Sequence, residues 1–158
     1  CEEGVLHESL NMASVKELPV LFLCENNGYS CTTALKKRQP SHRMARFADA
    51  ASIFSQEANA NHLQDLISSL TTTLAFIAST GKPAFLEVHC YRFLEHCGPS
   101  LDQMMGDRTQ AEFSQAQEDD ILSRMLETRE FTRGYNDCNI LIKKYAYRMQ
   151  ARKQGGLR

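Results

Sequence analysis

Two short stretches constrain the fold of this chain more than any other feature. Val20-Leu21-Phe22-Leu23-Cys24 and Ala84 to Cys90 are apolar runs that lack the polar–apolar alternation of a half-wet strand. Runs of that kind are expected where a strand is covered on both faces, as in a parallel sheet. Between them Leu63, Leu66, Ile67, Leu70, Leu74 and Ile77 repeat at i, i+3, i+4 and i+7, the spacing of an amphipathic helix. Parallel strands need a long crossover, usually helical, so strand–helix–strand is the economical reading. The expected fold is α/β, a parallel sheet with helices on both faces.

The flanking segments fit that frame. Residues 2–17 predict a helix, with Leu6, Leu10 and Ala13 on one face. Glu25-Asn26-Asn27-Gly28 is a cluster of turn residues that stops the first strand abruptly. Residues 30–60 carry little signal beyond a basic stretch from Lys36 to Arg46 and a short helix expected near 43–53. Asn61 with Gln64 suits a capping box at the start of the long helix, and Gly81-Lys82-Pro83 ends it. After the second strand comes a polar loop over roughly 94–107. Thr109 and Glu112 suit another capping box, opening a helix that breaks near Asp119-Asp120 and resumes to about 127. The last segment, 129–154, has helical composition and no internal repeat.

Composition narrows the function classes. The chain has 158 residues, a size that suits one domain or part of one, with a core of its own. Eighteen Lys+Arg against nineteen Asp+Glu leave a net charge of −1, so no global field draws nucleic acid or an anionic membrane. The basic residues from Lys143 onward are read as a solvated helix face. The longest apolar run is Leu18 to Cys24, far short of the about 20 residues that span a bilayer. No stretch reads as a signal peptide, so a soluble, cytoplasmic protein is expected. The six cysteines show no Cys-x-x-Cys pair and are read as scattered reduced thiols rather than a zinc site or a disulfide framework. A first residue that is Cys1 within an apparent helix start suggests a piece of a longer polypeptide.

In a parallel α/β sheet, ligands bind outside the carboxyl ends of the strands. Two segments land there: Glu25-Asn26-Asn27-Gly28-Tyr29 and Tyr91-Arg92-Phe93-Leu94-Glu95-His96-Cys97-Gly98. Asn27 offers a side-chain carbonyl oxygen, and a bend at Gly28 turns the Tyr29 carbonyl the same way. Hard oxygens of that kind suit Mg²⁺, although on spacing alone such a turn is far more often structural than a metal site. His96 is either a solvated loop residue or a group that does chemistry. Arg92 and Glu95 form a local ion pair on this reading.

Taken together, Glu3-Gly4-Val5-Leu6-His7-Glu8-Ser9-Leu10-Asn11-Met12-Ala13, Leu18-Pro19-Val20 and Cys24-Glu25-Asn26-Asn27-Gly28-Tyr29 resemble the alpha subunit of thiamine-diphosphate-dependent 2-oxo acid dehydrogenases. That family includes the pyruvate, branched-chain and acetoin enzymes. Its thiamine motif runs from Gly-Asp-Gly to Asn-Asn, and the chain supplies the Asn-Asn end. Gly81 to Arg92, His96 and Gly106-Asp107-Arg108-Thr109 resemble the family's next strand, active-site loop and following turn.

The resemblance implies that residues 1–110 are the C-terminal part of a thiamine-diphosphate-binding domain, with 111–158 a C-terminal helical segment. It implies Mg²⁺ ligation by the Asn27 side chain and the Tyr29 carbonyl, and a His96 that reaches the cofactor and takes part in catalysis. It implies an alpha subunit that works in an alpha2-beta2 heterotetramer with a beta subunit, decarboxylates a 2-oxo acid and passes the acyl group to a lipoyl acyltransferase. This chain alone is then inactive. The alternatives are a thiamine-dependent enzyme of sugar or secondary metabolism without a lipoyl partner, or a non-catalytic fragment. Three departures stand out. Leu94-Glu95-His96-Cys97-Gly98-Pro99 replaces His-Gly-His-Ser, Cys97 takes the place of a phosphorylatable Ser, and Glu57-Ala58-Asn59-Ala60 replaces Asp-Gly-Asn-Asp.

Overall fold

The computed structural model describes residues 1–98, 100–102, 106–127 and 132–140. They fall into two units, divided between Asp119 and Asp120. Every strand lies in the first. Its helices are α1 (Gly4–Val15), α2 (Arg46–Ala50), α3 (Leu63–Thr80) and α4 (Gln110–Asp119). Its strands are β1 (Leu21–Asn26), β2 (Tyr29–Ser30), β3 (Thr33–Ala34), β4 (Phe54–Asn59) and β5 (Ala84–His89). The second unit contains α5 (Ile121–Leu126), whose first turn is capped by the Asp120 carboxylate accepting the Ser123 amide at 2.9 Å. The basic stretch from Lys143 onward, and Pro99 of the loop motif, lie outside the described residues.

The sheet is parallel, in the order β1-β5-β4. The two apolar runs are neighbours in it, with Leu21 beside Ala84 and Cys24 beside Glu87. Side chains alternate across it, so Cys24 and Phe85 join Leu10 of α1 and Ala48 of α2 on one face. Ala58, Leu86 and Val88 meet Leu66 of α3 on the other. Helices therefore cover both faces, and burying a side chain such as Phe85 contributes about 1.5–3 kcal/mol.

Four expectations need correction. First, the direct crossover is β4–α3–β5, and β4 falls inside the stretch read as uninformative. Phe54-Ser55-Gln56-Glu57-Ala58-Asn59 is too polar to announce a strand, because one face of it is tied by polar contacts. Ser55 Oγ donates to Asp49 at 2.7 Å, and Arg43 Nε bonds Glu57 at 2.5 Å. Second, β5 is buried along nearly its whole length, but β1 is an edge of the described sheet and Leu23 is 56% exposed. Third, only part of the apolar stripe of α3 is turned inward: Leu66 packs on the sheet and Ile77 is half-buried. Ser69 and Thr73 are buried against the sheet, while Leu63, Ile67, Leu70 and Leu74 are exposed. Small residues let the helix sit close to β4 and β5. Fourth, α3 starts without a capping box: His62 takes the cap position with no side-chain bond. At its other end the chain does as expected, and Gly81 adopts φ +69° with its amide bonded to Ile77. The break between α4 and α5 also falls where the sequence places it.

Candidate functional site

The site is built on one buried carboxylate. Glu87 stands in the central strand with no exposed surface, and its two oxygens take separate donors. Asn26 Nδ2 donates to Oε1 at 2.7 Å, and the Ala45 amide donates to Oε2 at 2.7 Å. Asn26 Nδ2 also donates to the His42 carbonyl at 3.0 Å, and Asn26 Oδ1 accepts the Gly28 amide at 3.0 Å. Every polar atom of this side chain is thus engaged in holding the end of β1.

The turn that follows is correspondingly fixed. Gly28 sits at φ +74°, a left-handed conformation that glycine adopts without steric cost. Asn27 Oδ1 accepts the Tyr29 amide at 2.9 Å, which closes the turn and leaves the second lone pair of that oxygen. The Tyr29 hydroxyl donates to Glu112 at 2.6 Å, and its ring lies beneath the Arg108 guanidinium at 4.1 Å. Burial, then the Glu112 contact, pushes the Tyr29 phenol up to about 12. The Thr109–Glu112 capping box is therefore half formed. Thr109 Oγ1 accepts the Glu112 amide at 3.2 Å, but the Glu112 carboxylate serves Tyr29 instead of the cap.

Asn26, Asn27, Gly28 and Tyr29 line a cavity with His42, His89 and Tyr91 at the carboxyl ends of β1 and β5. The Tyr91 hydroxyl is buried, with no hydrogen-bond partner among the described residues. On the other side of the turn, Asn26, Asn27 and Tyr29 share a second cavity with Cys1 and Cys24. Burial pushes the Cys24 thiol up to about 11.

The loop after β5 is organised by ion pairs. Arg92 does not pair with Glu95. Its Nη2 donates to Asp102 at 2.7 Å and to the Cys31 carbonyl at 2.8 Å. Arg108 Nε lies 3.2 Å from the same Asp102 oxygen, and both side chains are buried. A short bridge between Leu94 and Leu101 closes the loop, and His96 sits exposed at its tip. His96 Nδ1 is 3.2 Å from Arg92 Nη1; a guanidinium only donates, so Nδ1 accepts. His96 is not among the residues lining either cavity beside Asn27. Asn27 and Tyr29 are thus brought together, while His96 stands on a separate loop. Asn26, Glu87, Asp102, Arg108 and Glu112 are the site-building residues that the sequence reading missed. A glutamate amid the apolar Ala84-Phe85-Leu86 run was the visible signal for one of them.

The fold is of the α/β class, a parallel sheet with helices on both faces, and its polar turns lie outside the strands' carboxyl ends, where open sheets of this class bind ligands. Residues 1–135 match the family model described as "Dehydrogenase E1 component", and the chain belongs to that family. It is 24% identical over 123 residues to the pyruvate dehydrogenase E1 component subunit alpha of Rickettsia typhi, covering 78% of this chain and 37% of that protein. It is 29% identical over 94 residues to the mitochondrial 2-oxoisovalerate dehydrogenase subunit alpha 1 of Arabidopsis thaliana, covering 60% and 20%. A second Arabidopsis thaliana protein, carrying the name of a 2-dehydropantoate 2-reductase, is 29% identical over 94 residues, covering 60% and 26%. That name denotes a different reaction; the family assignment rests on the match over 1–135. The chain thus spans well under half the length of these relatives. Among the described residues no helix is long and apolar enough to cross a membrane.

Proposed function

We propose that this chain is part of the alpha subunit of a thiamine-diphosphate-dependent 2-oxo acid dehydrogenase, acting with a beta subunit in an alpha2-beta2 assembly and passing the acyl group to a lipoyl carrier. The observation that carries the reading is the Glu87–Asn26 hydrogen bond at 2.7 Å, which fixes the Asn27–Tyr29 turn at the sheet's carboxyl end in a member of this family. The donor set fits the cofactor. Asn27 Oδ1 keeps a free lone pair, a hard oxygen that suits Mg²⁺, on a residue that lines the cavity at the carboxyl ends of β1 and β5. The Asn27 side chain and the Tyr29 carbonyl would hold the ion, and the ion would hold the diphosphate. When bound, thiamine diphosphate supplies the nucleophilic carbon and the electron sink for decarboxylation.

The chain's own residues do the positioning. Glu87 and Asn26 hold the turn so that ligation needs no rearrangement there. Asp102 roots Arg92, and Arg92 orients the His96 ring through Nδ1. In the neutral ring the proton then resides on Nε2, the nitrogen that His96 would offer to the reacting group. In the intact alpha–beta enzyme, Asn27→Ala is expected to weaken Mg²⁺–thiamine diphosphate binding by about 10- to 100-fold in a calorimetric titration. Unchanged affinity would remove Asn27 from the metal shell. His96→Ala is expected to lower turnover about 100-fold or more with an artificial electron acceptor. Near-parental turnover would defeat the histidine's role.

A further inference from the structure

Cys1 and Cys24 lie 23 positions apart in the chain, yet their sulfurs are 3.4 Å apart. Both residues line the cavity that Asn26, Asn27 and Tyr29 share. A disulfide holds its sulfurs about 2.05 Å apart, so these two must close by about 1.4 Å to bond. Both thiols are free in this structure. We propose that Cys1 and Cys24 are a peroxide-driven disulfide site, and that the bond regulates the site at the end of β1. The regulatory half rests on the function proposed above; the disulfide half does not.

The chemistry balances with one peroxide. Cys24 is 8% exposed, and in this proposal Cys1 is the thiol that meets the oxidant. Its sulfur attacks one peroxide oxygen, the O–O bond breaks, and the departing oxygen leaves as water with the thiol proton. Cys1 is then a sulfenic acid. Cys24 attacks the sulfenic sulfur, the S–O bond breaks, and a second water leaves. Two thiols are oxidised to one disulfide, and one peroxide is reduced to two waters. A dithiol reductant reverses the step by exchange. The new bond ties the segment ahead of α1 to β1, three residues before Asn27, and narrows the cavity between them.

The test uses the intact protein treated with one equivalent of hydrogen peroxide and digested with trypsin without reduction. The peptide ending at Lys16 carries Cys1, and residues 17–36 carry Cys24 and Cys31. Expected is a cross-linked pair of these peptides, two hydrogens lighter than their sum. It should persist in Cys31→Ser and be missing from Cys1→Ser and Cys24→Ala variants that melt near the parental temperature. Recovery of Cys1 and Cys24 in separate peptides, as thiols or higher oxides, would overturn the site. A second arm titrates Mg²⁺–thiamine diphosphate into reduced and oxidised protein. Affinity is expected to fall about tenfold on oxidation and to return with dithiothreitol. Equal affinities would overturn the regulatory half. If the reduced protein fails to bind, the thiamine reading and the regulation resting on it both fall, while the mass spectrum still decides the disulfide.

Discussion

The segments leaving the carboxyl ends of β1 and β5 are held in opposite ways. The turn from Asn26 to Tyr29 is short, and hydrogen bonds fix it: two side-chain oxygens close on their own backbone, and one side-chain amide reaches the buried Glu87. The loop from Tyr91 to Arg108 is long, and charge fixes it, with Arg92 and Arg108 converging on Asp102. The contrast follows from entropy. Ordering a residue costs about 1–2 kcal/mol, so a long loop needs the stronger charge-assisted contacts at its base. His96 is at its tip. On the function proposed above, the rigid turn would suit ligation of an ion, and the loop rooted at its base would suit a side chain that approaches a substrate.

Asp102 gives the largest way to break this contrast. It is 1% exposed, and Arg108 depends on it for an ion pair in the interior. Asp102→Ala is expected to destabilise the protein by about 3–5 kcal/mol in chemical denaturation, because two guanidinium groups lose their counter-charge. A loss below about 1 kcal/mol would mean that the Tyr91, Phe93 and Phe113 ring contacts, not charge, hold the loop.

The corresponding test of the turn is Glu87→Gln. The amide keeps the shape but presents a donor to either Asn26 Nδ2 or the Ala45 amide, so one buried donor goes unpaired. About 2 kcal/mol is expected, with faster hydrogen exchange at the Gly28 and Tyr29 amides. Exchange unchanged at those amides would show that the turn holds itself without the strand.

How much of this was visible in the sequence depends on which forces act locally. The parallel pairing of β1 with β5, the end of α3 at Gly81 and the break before α5 follow from apolar runs, a left-handed glycine and a capping aspartate. The last two signals sit within a few residues of their effects, and the first is written into each strand's own composition. β4 escaped because its polar face is satisfied by Arg43 and Asp49, a pairing that only the fold creates. The turn at Asn27 was readable as a turn. Its anchor, the bond from Asn26 to Glu87, was not, because those two residues are 61 positions apart. Asp102 escaped for the same reason: Arg92 had a nearer acidic neighbour in Glu95, and the fold chose the farther one.

Tyr29 ties the turn to α4, and its contribution is smaller and pH-dependent. Tyr29→Phe removes the bond to Glu112 and is expected to cost about 1–2 kcal/mol near neutral pH. The phenol is pushed up to about 12 from an ordinary value near 10, so the folded state holds the proton more tightly than the unfolded chain. The stabilisation is therefore fully present below about pH 10 and is lost as pH rises through 12. A tyrosinate absorbance titration should show a late-titrating group in the parent that is missing from the variant. A parent whose tyrosines all titrate near 10 would break the link between turn and helix.

The smallest effect is expected at Gly28, where it separates backbone strain from crowding. A Cβ added there meets nothing within 4 Å, so a substitution costs only the left-handed φ of +74°. Gly28→Ala is expected to destabilise by about 1 kcal/mol, the penalty for an L-residue in that region. Gly28→Asn should cost less than half of that, since asparagine visits left-handed backbone more readily. Equal losses for the two variants would mean that something other than φ resists the side chain at this position. Full tolerance of alanine would mean that the turn can relax to a right-handed backbone, and a turn that soft could not hold Asn27 in place as a ligand.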